Sequence, residues 1–323
     1  MNRHFVLLII FMTTLLARAV DWEPLPSLPA GAGNYISGAI GDDLILAGGI
    51  SWKNDVKEWR DSILRFDAAE KMWSEVGKLP QPLAYAAFGQ TKKGLYFIGG
   101  SDGKTTSRKV QFLNQQMESQ TTAELREPLC YSAFAIAGNT LFVVSGGSDV
   151  NDLKTLTNLF YSVDLKTGKA TSLPAFPGGN LIVPTASIIG DQLYVFTGAT
   201  FDSTNNRAAN LGAAHAYSMA EKKWRRIQSY PFPVRGLASC ALDDRYILLG
   251  GGYAENFTDA AFIYDTKRDL YLQTDPLPFV AAANFIKVGD FIYLIGGEDK
   301  MRHRSDLAFR LRWKELVRET KRK

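Results

Sequence analysis

Apolar residues in this chain fall in short runs separated by tight polar turns, and the runs recur. Six segments share one form: YISGAIGDDLILAGG (35–49), YAAFGQTKKGLYFIGG (85–100), SAFAIAGNTLFVVSGG (132–147), TASIIGDQLYVFTG (185–198), ASCALDDRYILLGGG (238–252) and AANFIKVGDFIYLIGG (282–297). In each, a run of small and apolar residues meets a turn, and a second run of β-branched or aromatic residues ends in glycine. The turns are Gly-Asp, Lys-Gly, Gly-Asn, Gly-Asp, Asp-Asp and Gly-Asp, pairs that accept the positive φ angles of a short hairpin. Both flanking runs read as buried strands.

The glycine pairs begin near residues 48, 99, 146, 197, 250 and 296, with spacings of 46 to 53 residues. A period near 50 with Gly-Gly closing a β-hairpin is the signature of a kelch repeat. Downstream comes a further strand, a lysine-rich turn, a short strand and often Leu-Pro, as in ILRFDAAEKMWSEVGKLP (63–80), AHAYSMAEKKWRRI (214–227) and FIYDTKRDLYLQTDPLP (262–278). FYSVDLKTGKATSLP fits with the tryptophan lost, and QFLNQQMESQTTAEL is degenerate. Each repeat is thus a four-stranded antiparallel blade that cannot bury both faces alone, so six stack radially into a ring. The expectation is an all-β, six-bladed kelch-type β-propeller over 20–312. WEPLPSLP (22–29) has the form of an outer strand and is predicted to complete the sixth blade beside LAFRLRW; the competing arrangement has LRWKEL supplying that strand.

The ends modify this picture. Arg3 and His4 precede an apolar run from Phe5 to Leu16, about 12 residues, against the roughly 20 that a spanning helix needs. Ala17-Arg18-Ala19 has the small-x-small form of a cleavage site, so 1–19 reads as a secretory signal peptide, with Val20 as the mature N-terminus and a periplasmic or secreted location. No other apolar run is long enough to span a membrane. The net charge is +4, but the segment 310–323 carries seven lysines and arginines against Glu315 and Glu319, and the body is slightly negative. A nucleic-acid binder would spread positive charge over a folded face, so that class is disfavoured. Residues 313–323 read as a solvated, frayed basic tail. Two cysteines, Cys130 and Cys240, lie in strand-like surroundings and read as free and buried; no metal-ligand spacing is present.

In a meander the loop after the second strand lies on the same face of the ring as the loop leading into the first. Residues just after Gly-Gly therefore surround one mouth of the central channel. Counted from the sequence, these are Ile50, Ser101, Ser148, Ala199, Gly252 and Glu298. Only one is a carboxylate. The plain alternative for Glu298 is a solvated loop residue or a partner for Lys300.

The blades resemble the exported N-acetylneuraminate (sialic acid) mutarotases, also called N-acetylneuraminate epimerases, in their cyclically permuted branch. The resemblance rests on Gly297-Glu298 with Arg304 six residues later and Ser305-Asp306 after it, on LPAFPGGNLIVPTASIIGDQLYVFTG (173–198), and on LILAGGISW followed by a long loop. It covers 22–312. It implies a functional acid at Glu298 and a functional arginine at Arg304. After FPGG the family tends to carry Pro-Arg, whereas this chain has Asn180-Leu181. Asn180 then takes that place in the substrate-binding set, and Arg235, in PFPVRGLAS, is a replacement arginine at the same mouth. The loops after the glycines look short, which predicts an open pocket.

The activity so implied is conversion of α- to β-N-acetylneuraminate. Mutarotation opens a cyclic hemiketal and recloses it on the other face, with a base for the anomeric hydroxyl and an acid for the ring oxygen. It needs no cofactor, metal or covalent nucleophile. Glu298 would be the base, and Arg304 would grip the substrate carboxylate through both guanidinium nitrogens. Tyr85 and Tyr131, in QPLAY and EPLCY, would line the mouth or relay protons, or else pack between blades. His215 and His303 do not build a copper or zinc site. No phosphate loop before a helix and no Gly-x-Ser-x-Gly elbow occurs. The rival reading is a non-catalytic propeller that binds a glycan or protein partner at the same mouth.

Overall fold

A computed structural model describes residues 20–321. The expected leader, and Arg322 and Lys323 of the basic tail, lie outside the described residues. Six four-stranded antiparallel sheets form the body. The first blade is Ile36–Ile40, Asp43–Ala47, Ser62–Asp67 and Met72–Lys78, and the pattern repeats to the sixth, Ala282–Val288, Phe291–Glu298, Ala308–Arg312 and Glu23–Leu25. The degenerate second repeat still builds its outer strand, Ser119–Glu124.

Apolar clusters fill the junctions between blades, one at each of five junctions and two between the fifth and sixth blades. Leu44, Leu46 and Phe66 of the first blade pack with Ile286, Tyr293 and Ile295 of the sixth. Ile45 and Ile63, from the opposite face of the first blade, meet Leu95 and Phe97 of the second. Consecutive residues of one strand thus feed two different cores, which is why the runs are apolar at every position.

The N-terminal strand closes the ring as expected. Glu23 pairs with Arg310 and Leu25 with Ala308. Arg310 Nε and Nη2 each donate to a Glu23 carboxylate oxygen at 2.8 Å, and these bonds hold the Glu23 carboxyl below the usual carboxylate range. The pair is half-exposed, so it contributes at most about 1 kcal/mol. Burial of Leu28 and the bond from Trp73 Nε1 to Pro26 O do more to fix the seam.

A second set of bonds runs around the mouth. The second glycine of each pair donates its N–H to the backbone leading into the next blade: Gly49 to Leu83, Gly100 to Leu129, Gly146 to Leu181, Gly198 to Val234, Gly252 to Ala281, and Gly297 to Ala32 across the closure, at 2.7–3.1 Å. This register corrects two positions. The third pair is Ser145-Gly146 and the fifth is Gly251-Gly252, so the residues that follow are Gly147 and Tyr253, not Ser148 and Gly252. The bridges Cys130 to Gly147 and Arg235 to Tyr253 mark the same register.

The segment from Trp313 is not a frayed tail. Trp313–Thr320 is an α-helix that buries Leu316, Val317 and Thr320. These pack on Leu242, Tyr246, Leu248 and Ile292 of the fifth and sixth blades, beside the Asp290 turn and so on the face away from Glu298. Lysines and arginines alternate with that apolar face, and charge density alone masked the amphipathic pattern.

The glycine contacts yield a stability prediction. At Gly251, φ is +71° and a Cβ would stand 2.2 Å from Ala281 O; at Gly190, φ is +57° with open space around it. Gly190→Ala should cost only the left-handed penalty, about 1 kcal/mol. Gly251→Ala should cost about 2–4 kcal/mol. Urea unfolding of both variants checks this, and equal losses would mean that the close approach of blades adds nothing.

Candidate active site

The residues that follow the glycines at the mouth are Ile50, Ser101, Gly147, Ala199, Tyr253 and Glu298, and Glu298 is again the one carboxylate. It ends the strand Phe291–Glu298 and pairs with Ala282. Its Oε1 lies 3.0 Å from Arg304 Nη1. The Arg304 side chain is 3% exposed and that of Glu298 32%.

The loop between them returns tightly. Lys300 bridges His303, and Ser305 N donates to Gly297 O. Arg304 then runs across the closure: Nη1 also donates to His303 O at 2.9 Å and Nη2 to Asn34 Oδ1 at 3.4 Å. A Cβ on Gly33 would lie 2.7 Å from Arg304 Cδ, and one on Gly31 1.9 Å from Arg304 O. Glycine at both places lets the arginine reach Glu298. The expected role of Arg304 therefore changes. Its terminal nitrogens serve Glu298, His303 and Asn34, its Nε has no hydrogen-bond partner, and its side chain is covered, so a substrate carboxylate would reach it only by displacing what covers it.

Arg235 is the arginine that the structure leaves available. It is half-buried, its Nη1 donates to Asn210 Oδ1 at 2.7 Å, and its guanidinium lies 4.4 Å from the centre of the Tyr253 ring. Asn210 Nδ2 donates to Tyr253 O and Ala254 O, both at 2.9 Å, which turns the amide oxygen towards Arg235. Burial lowers the Arg235 pKa, with Tyr253 and Glu298 opposing. Among the described residues no carboxylate lies within ion-pair distance of it.

Tyr85 and Tyr131 sit side by side, 4.7 Å between ring centres. Burial pushes the Tyr85 hydroxyl up to about 12, with Arg304 opposing and Glu298 adding to the shift, so it remains protonated near neutrality. The Tyr131 hydroxyl donates to Val150 O at 2.9 Å and is thereby engaged. Asn180 is exposed, next to Leu181, which is buried in the core between the third and fourth blades. His303 pairs with Asp299 at 2.6 Å. His215 is buried against Phe176. Both cysteines are free, and Cys240 is only half-buried. The first strands enclose a cavity of about 190 Å³, apolar towards Phe88 and Phe134 and polar towards Thr185, Ser239 and Asn284.

The loops after the glycines also carry more structure than expected. Two hairpins stand on the mouth, Ile50–Lys53 with Val56–Trp59, and Ala199–Asp202 with Arg207–Asn210. The first brings Trp52, Lys57 and Trp59, and the second brings Asn210. The signal for the first was present in Asn54-Asp55, a two-residue turn with φ +50° and +61°.

No family model matches the chain. Among curated proteins it is similar to the N-acetylneuraminate epimerase of Brucella suis, 32% identical over 118 residues that span 29% of this chain and 30% of that protein. It is also similar to the N-acetylneuraminate epimerase of Salmonella enteritidis, 23% identical over 231 residues, 60% of this chain and 58% of that protein. The matches thus span less than two thirds of either relative. The fold and these relatives together fit the kelch-type sialic acid mutarotase family.

The buried arginine can be tested for its structural share. Arg304→Met leaves Glu298 without its partner and should cost about 2–3 kcal/mol in urea unfolding. Arg304→Lys should recover less than half, because one ammonium cannot reach all three acceptors. Full recovery by lysine would mean that charge alone matters at this position.

Proposed function

We propose that this propeller is a sialic acid mutarotase that interconverts the anomers of N-acetylneuraminate by acid–base catalysis at the Glu298 mouth. The observation that carries the reading is the pairing of one mouth carboxylate, fixed by a buried arginine, with a second arginine that has no carboxylate within ion-pair distance among the described residues. The anomeric carbon of N-acetylneuraminate bears both a hydroxyl and a carboxylate. A site for it needs a base and a cation side by side. Glu298, about one third exposed, takes the hydroxyl proton. Arg235 binds the substrate carboxylate, a charge-assisted contact worth about 1.5–3 kcal/mol. Arg304 is a positioning residue that aims Glu298. Tyr85, which keeps its proton, donates a hydrogen bond to the sugar.

The homologues' names support the sugar class, and the chemistry needs no covalent intermediate. We further propose that the protein is exported, with processing after Ala19. The Val20 nitrogen lies 3.1 Å from Asp275 Oδ2, where a freed α-ammonium would gain a charge partner. N-terminal sequencing of protein from the exported fraction should begin at Val20, and retention of residues 1–19 would remove that proposal.

Freshly released α-N-acetylneuraminate, followed by proton NMR, tests the activity. The protein should speed equilibration over buffer, and Glu298→Gln should lose about 10²-fold or more. Arg235→Met should raise KM by roughly 10- to 100-fold, the equivalent of that carboxylate contact. No acceleration at any protein concentration would leave a binding propeller as the better reading.

A further inference from the structure

The hairpin Ile50–Lys53/Val56–Trp59 brings a lysine to the mouth that the reading above does not use. Trp52 and Lys57 are directly paired across it, and Trp59 lies two residues on, so all three share one face. Ser51 and Glu58 occupy the other face and bond each other at 3.1 Å. The Lys57 ammonium stands 5.7 Å from the Trp52 ring, 5.4 Å from Trp59 and 5.9 Å from Tyr85. Three aromatic rings within about 6 Å of one ammonium hold the cation in place while leaving it partly exposed. Trp59 packs edge-on to Tyr85 at 5.8 Å, and its indole blocks any side chain at Gly103. The hairpin tip is tied to the Glu298 loop by Arg302, 3.8 Å from Asp55 and stacked over Trp52.

We propose that Lys57 is the acid of the reaction, the group that protonates the sugar ring oxygen while Glu298 deprotonates the anomeric hydroxyl. This rests on the mutarotase reading. In ring opening the bond between the anomeric carbon and the ring oxygen breaks, and its electron pair takes a proton from the Lys57 ammonium. The anomeric hydroxyl gives its proton to Glu298 and becomes a ketone carbonyl. After rotation about the adjoining carbon–carbon bond, the new hydroxyl adds to the other carbonyl face. Lys57 recovers its proton from that hydroxyl, and Glu298 returns its own to the carbonyl oxygen. Both groups end as they began.

The other candidates fit less well. Arg304 and Arg235 do not release protons, and the Tyr85 hydroxyl, near 12, holds its proton too firmly to be an efficient acid at neutral pH. Lys57 has no carboxylate within ion-pair distance among the described residues. The charges that face it are Arg304 and Glu298 from the sixth blade; Asp55 is engaged with Arg302 and Glu58 with Ser51. Burial lowers its pKa from the usual lysine range, with Arg304 adding and Glu298 opposing, which moves it towards the working range of a general acid.

The test compares wild type, Glu298→Gln, Lys57→Gln and Lys57→Arg in the anomer assay across pH, with circular dichroism to confirm folding. The wild-type kcat/KM should fall on the basic side as Lys57 loses its proton. Lys57→Gln should reduce kcat about 10²-fold with KM within threefold, and that basic limb should vanish. Lys57→Arg keeps the charge but should remain at least tenfold slow. A Lys57→Gln variant with normal kcat and raised KM, or an unchanged basic limb, overturns the proposal, since Lys57 would then only bind the substrate. Loss of activity in Glu298→Gln beside a normal Lys57→Gln removes Lys57 alone. An inactive wild type removes the mutarotase reading and this proposal with it.

Discussion

Six backbone N–H groups, one from the second glycine of each blade's pair, hold each blade to the next at the mouth of the channel, and the site depends on them. The donor must approach the neighbour's carbonyl to 2.7–3.1 Å, and a Cβ on the preceding residue would collide at Gly48, Gly99, Gly251 and Gly296. The last of the six, from Gly297 to Ala32, crosses the seam where the chain's two ends meet. Glu298 follows that donor directly, and Arg304 reaches it by passing over Gly33 on the far side of the seam. Closing the ring therefore covers the charged pair, both partners of which lie in the sixth blade, at the end of one strand and on the loop to the next. A propeller open at this seam would have neither the Asn34 contact nor the wall against which Arg304 is buried.

A second belt runs just inside the first. Asn34, Tyr85, Tyr131, Val183 and Gly236 all take positive φ, and the N–H of each of the last four donates to the carbonyl of the one before it. Left-handed backbone is unfavourable at tyrosine and more so at β-branched valine, so packing around the channel must impose it. The consequence is that Tyr85 and Tyr131 project as neighbours into the mouth instead of alternating along their strands. The belt stops at the sixth blade. Ala283, the corresponding residue, is not left-handed, and a register shift lies between Ala282 and Asn284. Glu298 pairs with Ala282 at this break.

The repeats made the ring legible because each blade must present the same hairpin to both neighbours, and that requirement recurs in the chain about every 50 residues. The closing strand was legible for the same reason, since WEPLPSLP carries the outer-strand pattern without a blade of its own. Register within SGG and GGG runs was not. Ser145 occupies a first-glycine position at φ +58°, and three successive glycines at 250–252 fit either frame. The C-terminal helix was hidden because its buried residues, Leu316, Val317 and Thr320, are outnumbered locally by charges that face water. Within the site, Glu298 could be found as the one carboxylate after the glycines. The burial of Arg304 could not, because it depends on Gly31, Gly33 and Asn34 from the opposite end of the chain.

The two arginines differ in what their surroundings ask of them. A guanidinium that is covered and bonded to three acceptors fixes an anion in place and is shielded from a ligand, since a new partner would first have to displace the residues that cover it. A guanidinium held by one neutral amide and one aromatic face has lost much of its water without gaining a counter-charge. That is the condition under which an incoming carboxylate is bound most profitably, because part of the desolvation cost is met before the ligand arrives. Arg304 meets the first description and Arg235 the second. Their sequence contexts do not distinguish them, for each follows a turn near a blade's first or second strand. Asn210 and Tyr253 do, by leaving Arg235 oriented, partly dry and without an anion.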